Sequence, residues 1–271
     1  MGIFANPLTD LLEYEDFSRD FLKGTDPVGM TGCIDSEKVH FMSTFLGEKK
    51  VQLVVTYNEQ RAREIEEDYK LFCSQVYVIP PRDLIFFSAD LQGNAIIAER
   101  MKAFAALYQN EAKVIITTID ALMSAAVPFE QLMSHVIKLK EGDELDLEKL
   151  KHDLTVMGYE RVGRVEEPGQ FTVHGGIADV YPLTMEVPVR IELWGDEIDT
   201  IRCFEPQSQR SMDQIESVSV FPAAEVIADD TARRRAVGMI QNELESQLAV
   251  FKKVKEPDKA KRLREETNRI L

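Results

Sequence analysis

Val51-Gln52-Leu53-Val54-Val55-Thr56 gathers aliphatic and β-branched residues around one glutamine, the composition of a strand buried within a sheet. Asn58 follows where a helix N-cap belongs, and Ala62, Ile65, Tyr69 and Phe72 recur at helical spacing behind it. Val76-Tyr77-Val78-Ile79 is a second strand, stopped by Pro80-Pro81. Ile97, Met101, Phe104, Ala105 and Tyr108 mark another helical face, and Val114-Ile115-Ile116-Thr117-Thr118 a third buried strand. Strand, helix, strand, helix, strand at these lengths predicts a parallel sheet covered by helices.

The pattern changes near residue 124. Asp146 is placed to cap a short helix carrying Leu147, Leu150, Leu154 and Met157. Period-two segments follow, from Phe171 and Val173 to Val180, and then at Val187, Val189, Ile191 and Leu193. Trp194-Gly195-Asp196-Glu197 reads as a tight connection into Ile198–Phe204. These are antiparallel hairpins of a small α+β insert. Val218-Ser219-Val220-Phe221, before Pro222, is expected to return to the first sheet. From Asp229 the chain reads as a long helix broken near Pro257. It stops at Arg269-Ile270-Leu271 without a cap or glycine, as a truncated chain would. The expected organisation is therefore 1–123 as the first part of an α/β domain and 124–208 as an inserted α+β domain. Residues 209–271 return to the first domain, through 228, and end in helices.

Composition narrows the function classes. No apolar run approaches the length of a membrane span, and Met1–Ala5 lacks the basic start of a signal peptide. Cys33, Cys73 and Cys203 are far apart, which suits a reducing cytoplasm. They and the four histidines, His40, His135, His152 and His174, make no metal motif, and no cofactor is expected. The net charge is −15, unevenly spread: 229–271 holds 11 basic and 8 acidic residues, leaving 1–228 at −18. So acidic a body repels phosphate backbones. The basic tail reads as a solvated helix face laced with ion pairs.

Gly29-Met30-Thr31-Gly32-Cys33-Ile34-Asp35-Ser36 fits the phosphate loop G-x-x-x-x-G-K-[ST] at its first and last positions. The two positions that perform the chemistry differ. Ile34 stands where glycine lets backbone amides wrap a phosphate, and Asp35 stands where lysine meets the β/γ-phosphates. A carboxylate about 4 Å from a phosphate repels it by several kcal/mol at an effective dielectric near ~20. The loop precedes a helix, Glu37 to Leu46, that feeds the βα array.

Further along come Met157-Gly158-Tyr159-Glu160-Arg161-Val162, Val165 through Pro182 (with Phe171-Thr172-Val173-His174-Gly175-Gly176 at its centre), Pro188 through Ile198, and Ile201-Arg202-Cys203-Phe204. This succession resembles the module shared by the excision-repair helicase UvrB and the bacterial transcription-repair coupling factor. Ser208-Gln209-Arg210-Ser211, Phe221-Pro222-Ala223-Ala224-Glu225 and Thr117 through Met123 tilt it toward the N-terminal, UvrB-like region of the coupling factor. The resemblance covers roughly residues 28–228.

The resemblance implies a parallel-sheet, helicase-like α/β domain with a degenerate phosphate loop, an inserted α+β domain and a C-terminal helical segment. In that family the insert docks onto UvrA and recruits excision repair to stalled RNA polymerase. The ATP-driven DNA translocase, with the RNA polymerase and DNA contacts, lies farther along the chain. The implied docking residues are Arg161, from the Gly-Tyr-x-Arg segment, and His174, which replaces the arginine of the Phe-x-Val-Arg-Gly segment. Arg164 and Phe171 are their neighbours by chemical type. A neutral imidazole lacks the charge and fork of arginine, so His174 is expected to weaken that contact. Gly29, Gly32, Ile34, Asp35 and Ser36 form the degenerate nucleotide loop, and no catalytic residue is expected. The alternative is a UvrB-like ATP-dependent helicase fragment that still holds nucleotide or DNA; Ile34 and Asp35 argue against it. The carboxylate pairs Glu166-Glu167 and Asp196-Glu197 read as solvated turn charges.

Overall fold

A computed structural model describes residues 8, 10, 14–24, 27–47, 51–82, 92–124, 126–227, 230–253 and 257–270. Met1–Ala5, Asp229 and Leu271, which the sequence analysis used, lie outside them. The chain separates into two units, Met1–Glu225 and Val226–Leu271.

The first unit opens with α1 (Tyr14–Lys23) and α2 (Asp35–Ser43). Tyr14, Phe17 and Phe21 pack on Phe41 and Phe45, with Phe17 meeting Phe41 edge to face at 4.8 Å. Strands β1 (Gln52–Thr56), β2 (Val76–Ile79) and β3 (Val114–Thr118) form a parallel sheet in the order β1-β3-β2. Helix α3 (Glu59–Lys70) covers one face, where Ala62, Ile65 and Tyr69 bury against Val76, Val78, Val114 and Ile116. The Asn58 carboxamide accepts from the Arg61 amide at 2.8 Å, the cap expected of it. Helix α4 (Gln92–Tyr108) packs Ala103 and Ala106 near Ile115 and Ile79. Short helices α5 (Ile119–Met123) and α6 (Phe129–Met133) lead out of the sheet.

The rest of this unit is antiparallel apart from one short parallel pair at its edge. Strand β4 (Ile137–Lys140) precedes α7 (Leu147–Val156), whose Asp146 cap accepts from Glu148 and Lys149 amides. Then come β5 (Glu160–Arg161), β6 (Gln170–His174), β7 (Ile177–Val180), β8 (Val189–Trp194), β9 (Glu197–Phe204), β10 (Ser211–Gln214) and β11 (Ser217–Val220). Six of these form one sheet in the order β10-β9-β8-β7-β6-β5. Its inner face supplies Phe171, Val173, Ala178, Val180, Val189, Ile191, Ile198, Ile201 and Cys203 to a core shared with Leu150, Leu154 and Met157 of α7.

Strand β11 corrects an expectation. It does not join the parallel sheet; it pairs antiparallel with β4, Val218 opposite Leu139 and Val220 opposite Ile137. The reason is in the alternation of Ser217-Val218-Ser219-Val220. Only the valines bury, and they join Leu139 in the core of the six-stranded sheet. A parallel strand sandwiched between helices needs a continuous apolar run, as β3 has.

In the second unit, α8 (Asp230–Lys253) and α9 (Pro257–Ile270) pack against each other, with Pro257 opening the second helix where the sequence places the break. Among the described residues no helix is long and apolar enough to cross a membrane.

Candidate docking site

Glycine and tyrosine of the Gly158-Tyr159-Glu160-Arg161 segment serve the fold. Gly158 ends α7 at φ +91°, and a Cβ there would lie 2.6 Å from Ala224 Cβ. The Met157 carbonyl accepts from the Ala223 and Ala224 amides at 2.9 and 3.1 Å. The buried Tyr159 hydroxyl donates to the Phe221 carbonyl at 2.7 Å, and burial pushes that phenol far above its ordinary pKa. This corner fastens Phe221–Glu225. Glu225 then reaches the α/β layer: it accepts from Arg82 Nε at 2.9 Å and from the buried Arg100 at 3.2 Å, and Arg100 also donates to the Pro80 carbonyl. Burial alone would raise the Glu225 carboxyl, but the hydrogen bonds from Arg100 and Arg82 hold it below its ordinary pKa. Sequence reasoning treated Glu225 as a family marker and missed this role. Arg82 and Arg100 lie too far from it along the chain to suggest the cluster.

Arg161 is what the segment presents outward. It closes the two-residue edge strand β5, opposite Phe171 of β6, and is exposed. Its guanidinium makes no hydrogen bond or ion pair among the described residues. Phe171 is fully buried in the core, so it supports the site from beneath and offers no surface to a partner. The expected contact role of Phe171 is thus replaced by a packing role, in keeping with its alternation with Val173.

His174 ends β6, exposed, with Nε2 2.9 Å from the Thr172 hydroxyl. It stands three residues along the strand from Phe171, about 10 Å from the position opposite Arg161. Arg164 is also exposed and lies, like Arg161, toward the end of the sheet away from His174. It donates to the Pro206 and Gln207 carbonyls beyond β9 and pairs with Glu166 at 3.3 Å. The structure therefore sets Arg161 on the edge strand β5 and His174 on its neighbour β6, and gives Arg164 to an internal loop contact.

The outer face of the sheet is polar and largely self-satisfied. Arg190 forms two 2.8 Å hydrogen bonds to Asp179 and stacks over Phe204 at 4.8 Å. Arg202 sits directly opposite Arg190, and its buried Nε has no partner among the described residues.

The loop at Gly29–Ser36 has the opposite character. Gly32 has φ +83°, so one glycine-specific turn survives. Ile34 occupies the N-cap position of α2, and its amide donates to the Glu37 carboxylate at 3.0 Å. Asp35 opens the helix and pairs with Lys38 at 3.2 Å and Arg61 at 3.5 Å. The end of a helix attracts anions; here two carboxylates of the protein already stand there. Gly29 and Ser36 are exposed.

Residues 137–225 match the family model of the UvrB interaction domain. The chain is 33% identical over 231 residues to the transcription-repair-coupling factor of Staphylococcus haemolyticus, covering 84% of this chain and 19% of that protein. It is 31% identical over 246 residues to that of Staphylococcus epidermidis, covering 90% and 20%, and 30% identical over 259 residues to that of Bacillus subtilis, covering 93% and 22%. The chain spans about a fifth of the length of these relatives. The motifs around Gly158–Arg161, Phe171–Gly176 and Phe221–Glu225 thus lie in a stretch that matches the UvrB interaction domain, within a chain similar over most of its length to transcription-repair-coupling factors.

Proposed function

We propose that the chain is a docking module of transcription-coupled nucleotide excision repair, which binds UvrA through the edge of its six-stranded sheet and does not use ATP. The observation that carries this reading is Arg161: an exposed guanidinium without a partner among the described residues, on an edge strand inside the stretch matched to the UvrB interaction domain. A guanidinium offers two parallel hydrogen bonds to a carboxylate, which suits it to anchor a polar interface. His174 adds weaker chemistry on the outer face of the neighbouring strand β6. The docking domain, expected at 124–208, is taken to run on through β11 to Glu225.

The α/β layer is read as a helicase-like domain with a decayed phosphate loop. Asp35 and Glu37 at the N-terminus of α2 support this, because they place negative charge where a triphosphate would sit. ATP-driven translocation on DNA and the contact with RNA polymerase are assigned to the remaining length of the relatives. Titration of the chain into purified UvrA tests the reading. The parent should bind and Arg161→Ala should bind at least about thirtyfold more weakly, the effect of removing about 2 kcal/mol of anchor.

A further inference from the structure

Trp194 is the chain's one tryptophan, and it is 84% exposed. An indole left this open adds little to the stability of its own domain. It ends β8 at the turn Trp194-Gly195-Asp196-Glu197, where Gly195 has φ +68°. That turn is held from both sides. The Leu145 amide donates to the Asp196 carbonyl at 2.8 Å, the Ile198 amide to Asp143 at 2.9 Å, and the Leu193 amide to Gly176 at 2.9 Å. The indole therefore stands on fixed backbone, and little ordering remains when a partner covers it.

The register gives it neighbours. Alternation along β8 buries Ile191 and turns Glu192 and Trp194 to the outer face. Ile177, itself exposed, pairs with Glu192 on one side and His174 on the other. His174, Ile177, Glu192 and Trp194 thus share one face at one end of the sheet. Glu144, Asp196 and Glu197 are exposed around the turn. The pocket of about 660 Å³ behind it adds Asp146 and Glu148, with Lys149 as its one cation among the described residues.

We infer that Trp194 is the apolar anchor of the UvrA interface, entering a pocket on UvrA that is apolar within and edged by lysine or arginine. This rests on the docking reading above, which His174 links to the same end of the sheet. A buried aromatic surrounded by charges complementary to the partner is the recurrent form of an interface hot spot.

The experiment compares UvrA binding by the full chain and its variants, with melting temperatures alongside. Trp194→Ala is expected to bind about thirtyfold more weakly and to melt with the parent. Asp196→Lys combined with Glu197→Lys is expected to weaken binding too. In parallel, 5-fluorotryptophan incorporated at this single position should show its fluorine resonance shift when UvrA is added to the otherwise unaltered chain. Trp194→Ala binding within threefold of the parent, while Arg161→Ala binds weakly, overturns the anchor and leaves the docking reading standing. A parent chain that does not bind UvrA overturns both. If Trp194→Ala lowers the melting temperature, the fluorine signal decides, and an unshifted resonance overturns the anchor.

Discussion

The loop Gly29–Ser36 and the sheet edge Glu160–Ile177 both carry motifs of larger families, yet they treat charge in opposite ways. At the loop the carboxylates have partners at home: Asp35 takes Lys38 and Arg61, and Glu37, just beyond it, takes the Ile34 amide. At the edge, Arg161 is exposed and unpaired among the described residues. A helix N-terminus already facing carboxylates has little to offer a phosphate. An unpaired guanidinium on a rigid edge gains when a carboxylate arrives. The contrast teaches that a motif's chemistry is read from what its polar groups already bind.

The Phe221–Glu225 segment ties the corner at Met157–Tyr159 to the α/β layer, so breaking it should give the largest effect. Glu225→Ala leaves two guanidinium groups, one of them buried, without their carboxylate. A loss of about 3–5 kcal/mol is expected, as for removal of one member of a buried pair. For a unit of this size that lowers the melting temperature by roughly 10 °C. Calorimetry on the variant checks it, and a shift under ~2 °C would show that the α/β layer and the six-stranded sheet are held together elsewhere.

The same carboxylate sets an acid limit. Its pKa is depressed in the folded state, so its contribution is fully present above the unfolded carboxylate range. The contribution is lost as pH falls through the lower, folded value. Melting temperatures taken from pH 7 downward should therefore drop more steeply below about pH 4.5 in the parent than in Glu225→Ala. Parallel curves would contradict this.

Gly158→Ala should cost about 1–3 kcal/mol, because the new methyl meets Ala224 and the backbone is held at positive φ. That substitution separates the structural half of the Gly158–Arg161 segment from its exposed arginine.

The smallest effect belongs to the loop. Asp35→Ala removes only the ion pairs of an exposed carboxylate and should change stability by no more than about 0.5 kcal/mol. The parent should give no calorimetric signal with millimolar ATP. A dissociation constant below about 100 µM, or roughly −5.5 kcal/mol, would mean that the loop still grips phosphate.

Much of this was legible in the sequence because local chemistry decides it. The apolar runs of β1 to β3, the caps at Asn58 and Asp146, and the alternation of β8 and β9 each specify their own element. What escaped depends on partners distant in the chain. Ser217–Val220 announces a half-buried strand but not which edge it joins; Leu139, about 80 residues earlier in the chain, settles that. Phe171 reads equally well as surface or core until α7 is laid against it. Arg164 looks like Arg161 in sequence and differs only because the carbonyls of Pro206 and Gln207 come within reach.

The most direct test of the central claim is the affinity of UvrA for three proteins: the parent chain, Arg161→Ala and His174→Arg. The account predicts that Arg161→Ala loses at least about thirtyfold in affinity with an unchanged melting temperature. It predicts that His174→Arg binds as well as the parent or more tightly, since a forked cation replaces an imidazole. Arg161→Ala binding UvrA as tightly as the parent would contradict it.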